Sequence, residues 1–155
     1  MRTVQSWLDE YSVSHMNPTN KKIHWVCVPL IMLSALGMLW SIPRPTFFVG
    51  ISPYLNWATL LILASLIYYM LLSVRLAAGM LLVSVLMCLV LELLRRLPWP
   101  LFWTCIGIFV AAWIGQFIGH KIEGRKPSFF KDLQFLLIGP IWLLADAYKR
   151  LGFAY

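Results

Sequence analysis

The sequence predicts an all-α fold: a polytopic membrane helix bundle with four transmembrane helices, an N-terminal amphipathic helix, and a C-terminal helix that is re-entrant, interfacial or a fifth span. Three observations predict it. Of the 155 residues, 61% are hydrophobic and only 12% charged, and the mean hydropathy is +0.77, too apolar for an ordinary soluble domain. Four uncharged stretches run from Trp25 to Pro43, Pro45 to Val74, Leu76 to Leu91 and Leu97 to Gly119, against the roughly 20 residues that cross a hydrocarbon core. The charges between them are few and sit at their ends. With no internal repeat, residues 1–155 read as one membrane domain.

The elements follow in order. In residues 3–13, Val4, Trp7, Leu8 and Tyr11 fall at i, i+3, i+4 and i+7, one face of a helix, with Asp9 and Glu10 opposite. This is an amphipathic helix on the membrane surface or packed over the bundle. These polar first 22 residues lack the apolar core of a cleaved signal. Asn17-Pro18 is a helix start: Asn17 caps free N–H groups and Pro18 suits the first helical position. The first span is placed at about 18–42, with a kink expected at Pro29, whose ring clashes with the carbonyl of Trp25. Ile42-Pro43-Arg44-Pro45 forms a turn, and the second span is placed at about 54–74, starting near Tyr54 or Trp57. A tight turn at Ser73-Val74-Arg75 makes an antiparallel hairpin with the third span, about 76–95, whose Glu92, Arg95 and Arg96 reach the interface. After Leu97-Pro98-Trp99-Pro100 the fourth span covers about 99–123, ended by Gly124. The apolar segment at about 133–148 is short, and Gly139-Pro140 is expected to interrupt it, which suits broken backbone lining a cavity.

Sidedness follows from the basic residues. With four spans, Arg2, Lys21, Lys22, Arg75, Lys121, Arg125, Lys126 and Lys131 share one side, and Arg44, Arg95 and Arg96 the other. Eight against three puts the N-terminus in the cytoplasm. The net charge of +7 is thus a matter of membrane orientation and excludes a nucleic-acid partner; the bilayer is the expected partner, and a homo-oligomer is compatible with it. Cys27, Cys88 and Cys105 are odd in number and lie in apolar segments, so they read as small embedded side chains.

All three histidines then meet one face. His15 and His24 flank the entry to the first span and His120 the exit of the fourth. Imidazole is the commonest protein ligand for transition metals, and three converging imidazoles hold one ion with positions left open. Asn20 and His24 share a helix face, as do Trp113, Gln116, His120 and Glu123. The other reading is that each histidine is an amphipathic residue at headgroup level, as in a non-catalytic lipid-binding or assembly protein. Glu123 is a fourth ligand, a partner orienting an imidazole, or a loop charge paired with Lys126. Lys121, Arg125 and Lys126 attract a carboxylate head group or reflect sidedness alone. No nucleophile stands out beside a histidine, and phosphate-binding Gly-rich loops are absent. A transporter would need polar groups at mid-membrane, and these spans have almost none.

The segment Ser14-His15-Met16-Asn17-Pro18-Thr19-Asn20-Lys21-Lys22-Ile23-His24 with Pro29, the segment from Trp113 through Gln116, His120 and Glu123 to Pro127, and the run Leu136-Leu137-Ile138-Gly139-Pro140 resemble the signatures of one family. It is a group of small membrane proteins, long a domain of unknown function, with a fungal 2-hydroxy fatty acid dioxygenase of fatty acid α-oxidation as a member. The resemblance covers essentially the whole chain. It implies an oxygenase dependent on iron(II), Fe(2+), and independent of oxoglutarate, which cleaves a long-chain 2-hydroxy fatty acid with O2 between C1 and C2 and yields an acid one carbon shorter. It also implies that His15, His24 and His120 are the iron ligands. The membrane would be the inner membrane if the chain is bacterial and the endoplasmic reticulum if it is eukaryotic.

Overall fold

The computed structural model describes residues 2–127 and 134–155; Lys131 and Leu133 lie outside them. Among the described residues there are seven helices and no strand: α1 Val4–Ser12, α2 Pro18–Trp40, α3 Thr46–Ile51, α4 Trp57–Leu72, α5 Val74–Leu94, α6 Leu101–Glu123 and α7 Phe135–Arg150. Three of these, α2, α5 and α6, are long and apolar enough to cross a membrane. Large apolar side chains such as Leu63, Ile67, Leu82, Leu89, Val110 and Ile114 point outward from α4, α5 and α6, a surface that suits lipid better than water.

Local chemistry sets the boundaries. The Asn17 side chain accepts from the N–H groups of Thr19 and Asn20, with Pro18 first in α2. The helix continues through Pro29. Ser73 ends α4 and also caps α5, accepting from Leu76 N–H at 3.3 Å, so the α4–α5 hairpin turns on a single residue. Gly124, at φ 71°, closes α6 in the left-handed region that favours glycine.

Of the two starts open for the second span, Tyr54 and Trp57, the structure has Trp57: α4 begins there because Asn56 and Thr59 form a reciprocal capping box, with bonds of 3.0 and 2.9 Å. Its 16 residues measure about 24 Å, so α4 is a shorter apolar helix that packs beside α2 and α5. The short α3 precedes it and stops before Pro53, whose ring pushes Ser52 into extended backbone, φ −161° and ψ 139°. One expectation needs correction: α7 is a continuous helix in which Gly139-Pro140 is no interruption. Pro140 forfeits a hydrogen bond to Leu136, a loss of about 3 kcal/mol in an exposed helix. Burial of Phe135, Ile138, Ile141, Trp142 and Leu143 offsets it.

Packing centres on α2 and α6, which run antiparallel in the most extensive helix contact of the fold. Cys105 fits against Gly37, Cys27 against Gly115 and Asn20 against Gly119; a Cβ on any of these glycines would meet its partner. Small residues thus let the two backbones approach closely. The amphipathic helix α1 packs on α7, burying Trp7, Leu8 and Tyr11. In turn α7 lies across the end of the bundle where α2 and α5 begin and α4 and α6 finish. Tyr69 Oη donates to Leu137 O (2.9 Å), Tyr148 Oη to Arg75 O (3.2 Å), and Arg150 sits over the Trp25 ring.

Candidate metal centre

At this end of the bundle the three histidines converge. One nitrogen from each of His15, His24 and His120 lies within 4.8 Å of the others, and all three residues are buried. The ring centroids are 4.3 Å apart for His15–His24, 5.0 Å for His15–His120 and 4.9 Å for His24–His120, and the rings meet edge to face. His15 comes from the α1–α2 turn, His24 from the second turn of α2 and His120 from the last turn of α6.

Backbone carbonyls fix the first two rings. His15 Nδ1 lies 2.7 Å from Tyr11 O, and His24 Nδ1 lies 3.0 Å from Asn20 O. A carbonyl only accepts, so each Nδ1 carries the proton and donates. Each Nε2 is therefore left with a bare lone pair, and these two atoms face one another at 2.9 Å. Two neutral imidazoles cannot hydrogen-bond in that arrangement. Protonating one is opposed by burial, which with the adjacent His24 pushes the His15 imidazole from its ordinary 6.5 down to about 3. A metal cation resolves the conflict: nitrogens bound at about 2.1 Å in adjacent positions lie roughly 3 Å apart. His120 Nδ1 adds a third buried nitrogen without a hydrogen-bond partner. Three neutral imidazoles suit a divalent transition metal such as iron(II).

A second ring of contacts holds this arrangement. Tyr11 stacks on His15 at 4.1 Å and 12°, and Trp142 covers the same ring while its Nε1 donates to Ser12 Oγ (2.8 Å). Asn20 Nδ2 donates to Ser14 O (3.2 Å) and to Glu123 Oε2 (3.0 Å). Glu123 also accepts from the N–H groups of Met16 and Asn17, both at 2.8 Å. Its carboxylate clasps the end of α6 to the turn carrying His15, and it stands outside the metal-competent cluster. Gln116, also buried, is within hydrogen-bonding reach of His24.

The basic residues are placed differently. Lys121, Arg125 and Lys126 are exposed and border an open groove with Phe117, His120 and Pro127. His120 and Pro127 also line an apolar slot between α2, α6 and α7, whose walls include Val28, Ile31, Met32, Trp113, Gln116, Leu136 and Pro140. Sequence reasoning missed Tyr11 and the glycine pair as site elements. The available signals were Tyr11 four residues before His15, one helical turn, and Gly115 four before Gly119.

Residues 1–151 match the family described as 2-hydroxy-palmitic acid dioxygenase Mpo1-like. The chain is 33% identical over 152 residues to the 2-hydroxy-palmitic acid dioxygenase MPO1 of Saccharomyces cerevisiae, which covers 97% of this chain and 82% of the yeast protein. No solved structure matches significantly.

Proposed function

Because the chain belongs to the Mpo1-like family, we propose that it is a membrane-bound, iron(II)-dependent and oxoglutarate-independent dioxygenase that shortens long-chain 2-hydroxy fatty acids by one carbon. A 2-hydroxy acid and O2 balance to an acid one carbon shorter, carbon dioxide and water. The observation that carries this reading is the convergence of three buried imidazoles, with Nε2 of His15 and His24 2.9 Å apart while each Nδ1 faces a backbone carbonyl. Iron, when bound, supplies a Lewis-acidic centre and the electrons that activate O2.

The chain's own residues do the rest. His15, His24 and His120 hold the metal, while the carbonyls of Tyr11 and Asn20 keep the first two in the donating tautomer. Glu123 and Asn20 fix the turn that carries His15, and Gln116 orients His24. A three-histidine set brings no negative charge, so an anionic 2-hydroxy carboxylate complements it. Lys121, Arg125 and Lys126 draw that carboxylate to the cytoplasmic face. Tyr11, Phe135 and Trp142 keep water from the buried rings.

The test is iron analysis of anaerobically purified protein, followed by incubation with 2-hydroxy-palmitic acid and O2. Loss of one carbon without oxoglutarate is expected, and the 3-hydroxy isomer should stay intact. If iron-loaded protein shortens neither, and binds 2-hydroxy and unsubstituted acids alike, it is a lipid-binding protein.

A further inference from the structure

The apolar slot beside the histidines has no assigned role, and its composition is uneven in a telling way. Its most polar groups, His120 and Gln116, stand one helical turn apart on α6 where the slot meets the histidine cluster, and Tyr11 also lines it. Beyond them the walls on α2 and α6 are Val28, Ile31, Met32 and Trp113, and α7 contributes Phe135, Leu136, Gly139 and Pro140. Along α2 the distance from His24 to Met32 is eight residues, about 12 Å of helix axis. At the histidine end, through the shared residues His120 and Pro127, the slot joins the groove bordered by Lys121, Arg125 and Lys126. One continuous path therefore runs from cations, past the His120 imidazole, into an apolar cleft between helices.

Such a gradient fits one kind of occupant, an amphiphile with an anionic head and a single unbranched tail. We infer that this slot receives the carbon chain nearest the carboxyl end of the substrate, and that Ile31 and Met32, its α2 lining residues farthest from the histidines, set which tail lengths are accepted. The inference rests on the proposed reaction only for the choice of head group; the slot itself is read from its walls. Gly139 shapes the mouth. A Cβ there would lie 3.0 Å from Tyr11 Oη, so a larger residue would press on the ring that stacks against His15.

Two measurements test this separately from the chemistry. A 2-hydroxy fatty acid carrying a diazirine at mid-chain is photolysed with the full-length, iron-loaded protein in detergent, and the adducts are mapped by mass spectrometry. Adducts at Val28, Ile31, Met32, Trp113 or Leu136 are expected; adducts confined to the outward faces of α4 and α5 would overturn the assignment, whether or not turnover occurs. Competition by an anionic phospholipid as strong as that by unlabelled 2-hydroxy acid would also overturn it, because a two-tailed lipid is then the occupant. The second measurement compares binding and turnover of 2-hydroxy acids of graded length in Met32→Trp and in Leu82→Trp, an outward-facing control. Met32→Trp should weaken long acids at least tenfold relative to short ones while retaining iron, and Leu82→Trp should not. An unchanged length profile in an iron-replete Met32→Trp protein refutes the role of Met32. Wild-type protein that turns over no acid yet labels in the slot refutes the reaction and leaves the slot standing.

Discussion

Glu123 Oε2, at the end of α6, accepts the backbone N–H of Asn17, the capping residue of α2, at 2.8 Å across 106 positions of sequence. The same carboxylate takes Met16 N–H and Asn20 Nδ2–H, so three donors beside the histidine cluster share one side chain as acceptor. Replacing it by alanine leaves them without their acceptor. A destabilisation of about 1–2 kcal/mol is expected for this partly exposed group, with iron content falling as His15 loses its anchor. Glu123→Gln, which keeps one carbonyl oxygen, should recover part of both. Melting temperature and iron stoichiometry measure the two effects; equal behaviour of the alanine and glutamine variants would sink the clasp.

Single alanine substitutions at His15, His24 and His120 should each lower iron affinity by more than the ~10–100-fold typical of losing an outer partner. Inductively coupled plasma analysis of anaerobic preparations reads this out. A triple variant that keeps its metal refutes the ligand set. Zinc in an aerobic preparation does not, because zinc outcompetes iron(II) for nitrogen donors.

Acid should destabilise the metal-free protein. Burial holds His15 near 3 when folded, whereas the unfolded chain titrates near 6.5. The depressed value means that the unfolded state binds the extra proton, so stability is complete above about 6.5 and is lost as pH falls toward 3. Between pH 7 and pH 5 the linkage is about 2 kcal/mol. Thermal melts of chelator-treated protein in detergent should shift accordingly, and His15→Gln should flatten the profile. A wild-type melt that does not move over this range contradicts the buried, neutral imidazole.

Sidedness is open to labelling. Met16 is exposed at the α1–α2 turn and Lys126 beyond the end of α6, while Trp99 is exposed at the opposite turn. With cysteine at each position, a membrane-impermeant maleimide applied to intact cells should modify only the Trp99→Cys protein. The other two should react after lysis. Reaction of Met16→Cys and Lys126→Cys from opposite sides would separate His15 from His120 and end the shared site.

Much of this was legible because single residues carried the signal. Asn17-Pro18 and Gly124 marked ends of α2 and α6 through their backbone preferences, and the three histidines stood out as the chain's whole complement of imidazole. The α4 start stayed open between Tyr54 and Trp57, because hydropathy favours neither and the Asn56–Thr59 capping box that decides it is a reciprocal contact. The six residues of α3 are too few to show a period. Gly139-Pro140 suggested a break because the supporting burial of α7 against α1 is a tertiary fact that neighbouring residues do not encode. The site lay half in view: spacing aligned Asn20 with His24 and Gln116 with His120. That Glu123 reaches Met16 and Asn17 depends on the antiparallel register of α2 and α6, which Gly115 and Gly119 permit.

The packing of α1 on α7 sets an order of events during biosynthesis. His15 hangs from α1, and α1 is seated by Trp7 on Phe135 and by Trp142 on Ser12. Synthesis proceeds from the N-terminus, so α7 emerges only after α1 through α6 have left the ribosome. His24 and His120 can meet as soon as α2 and α6 pair, and Glu123 can then clasp the turn that carries His15, but the cover that Trp142 gives the His15 ring waits for the later helix. The cluster is thus enclosed last, after all its imidazoles have been made. A truncation before Phe135 should leave a membrane-inserted protein whose histidine cluster is open to water, and on the proposed function it should retain iron less well than the full chain.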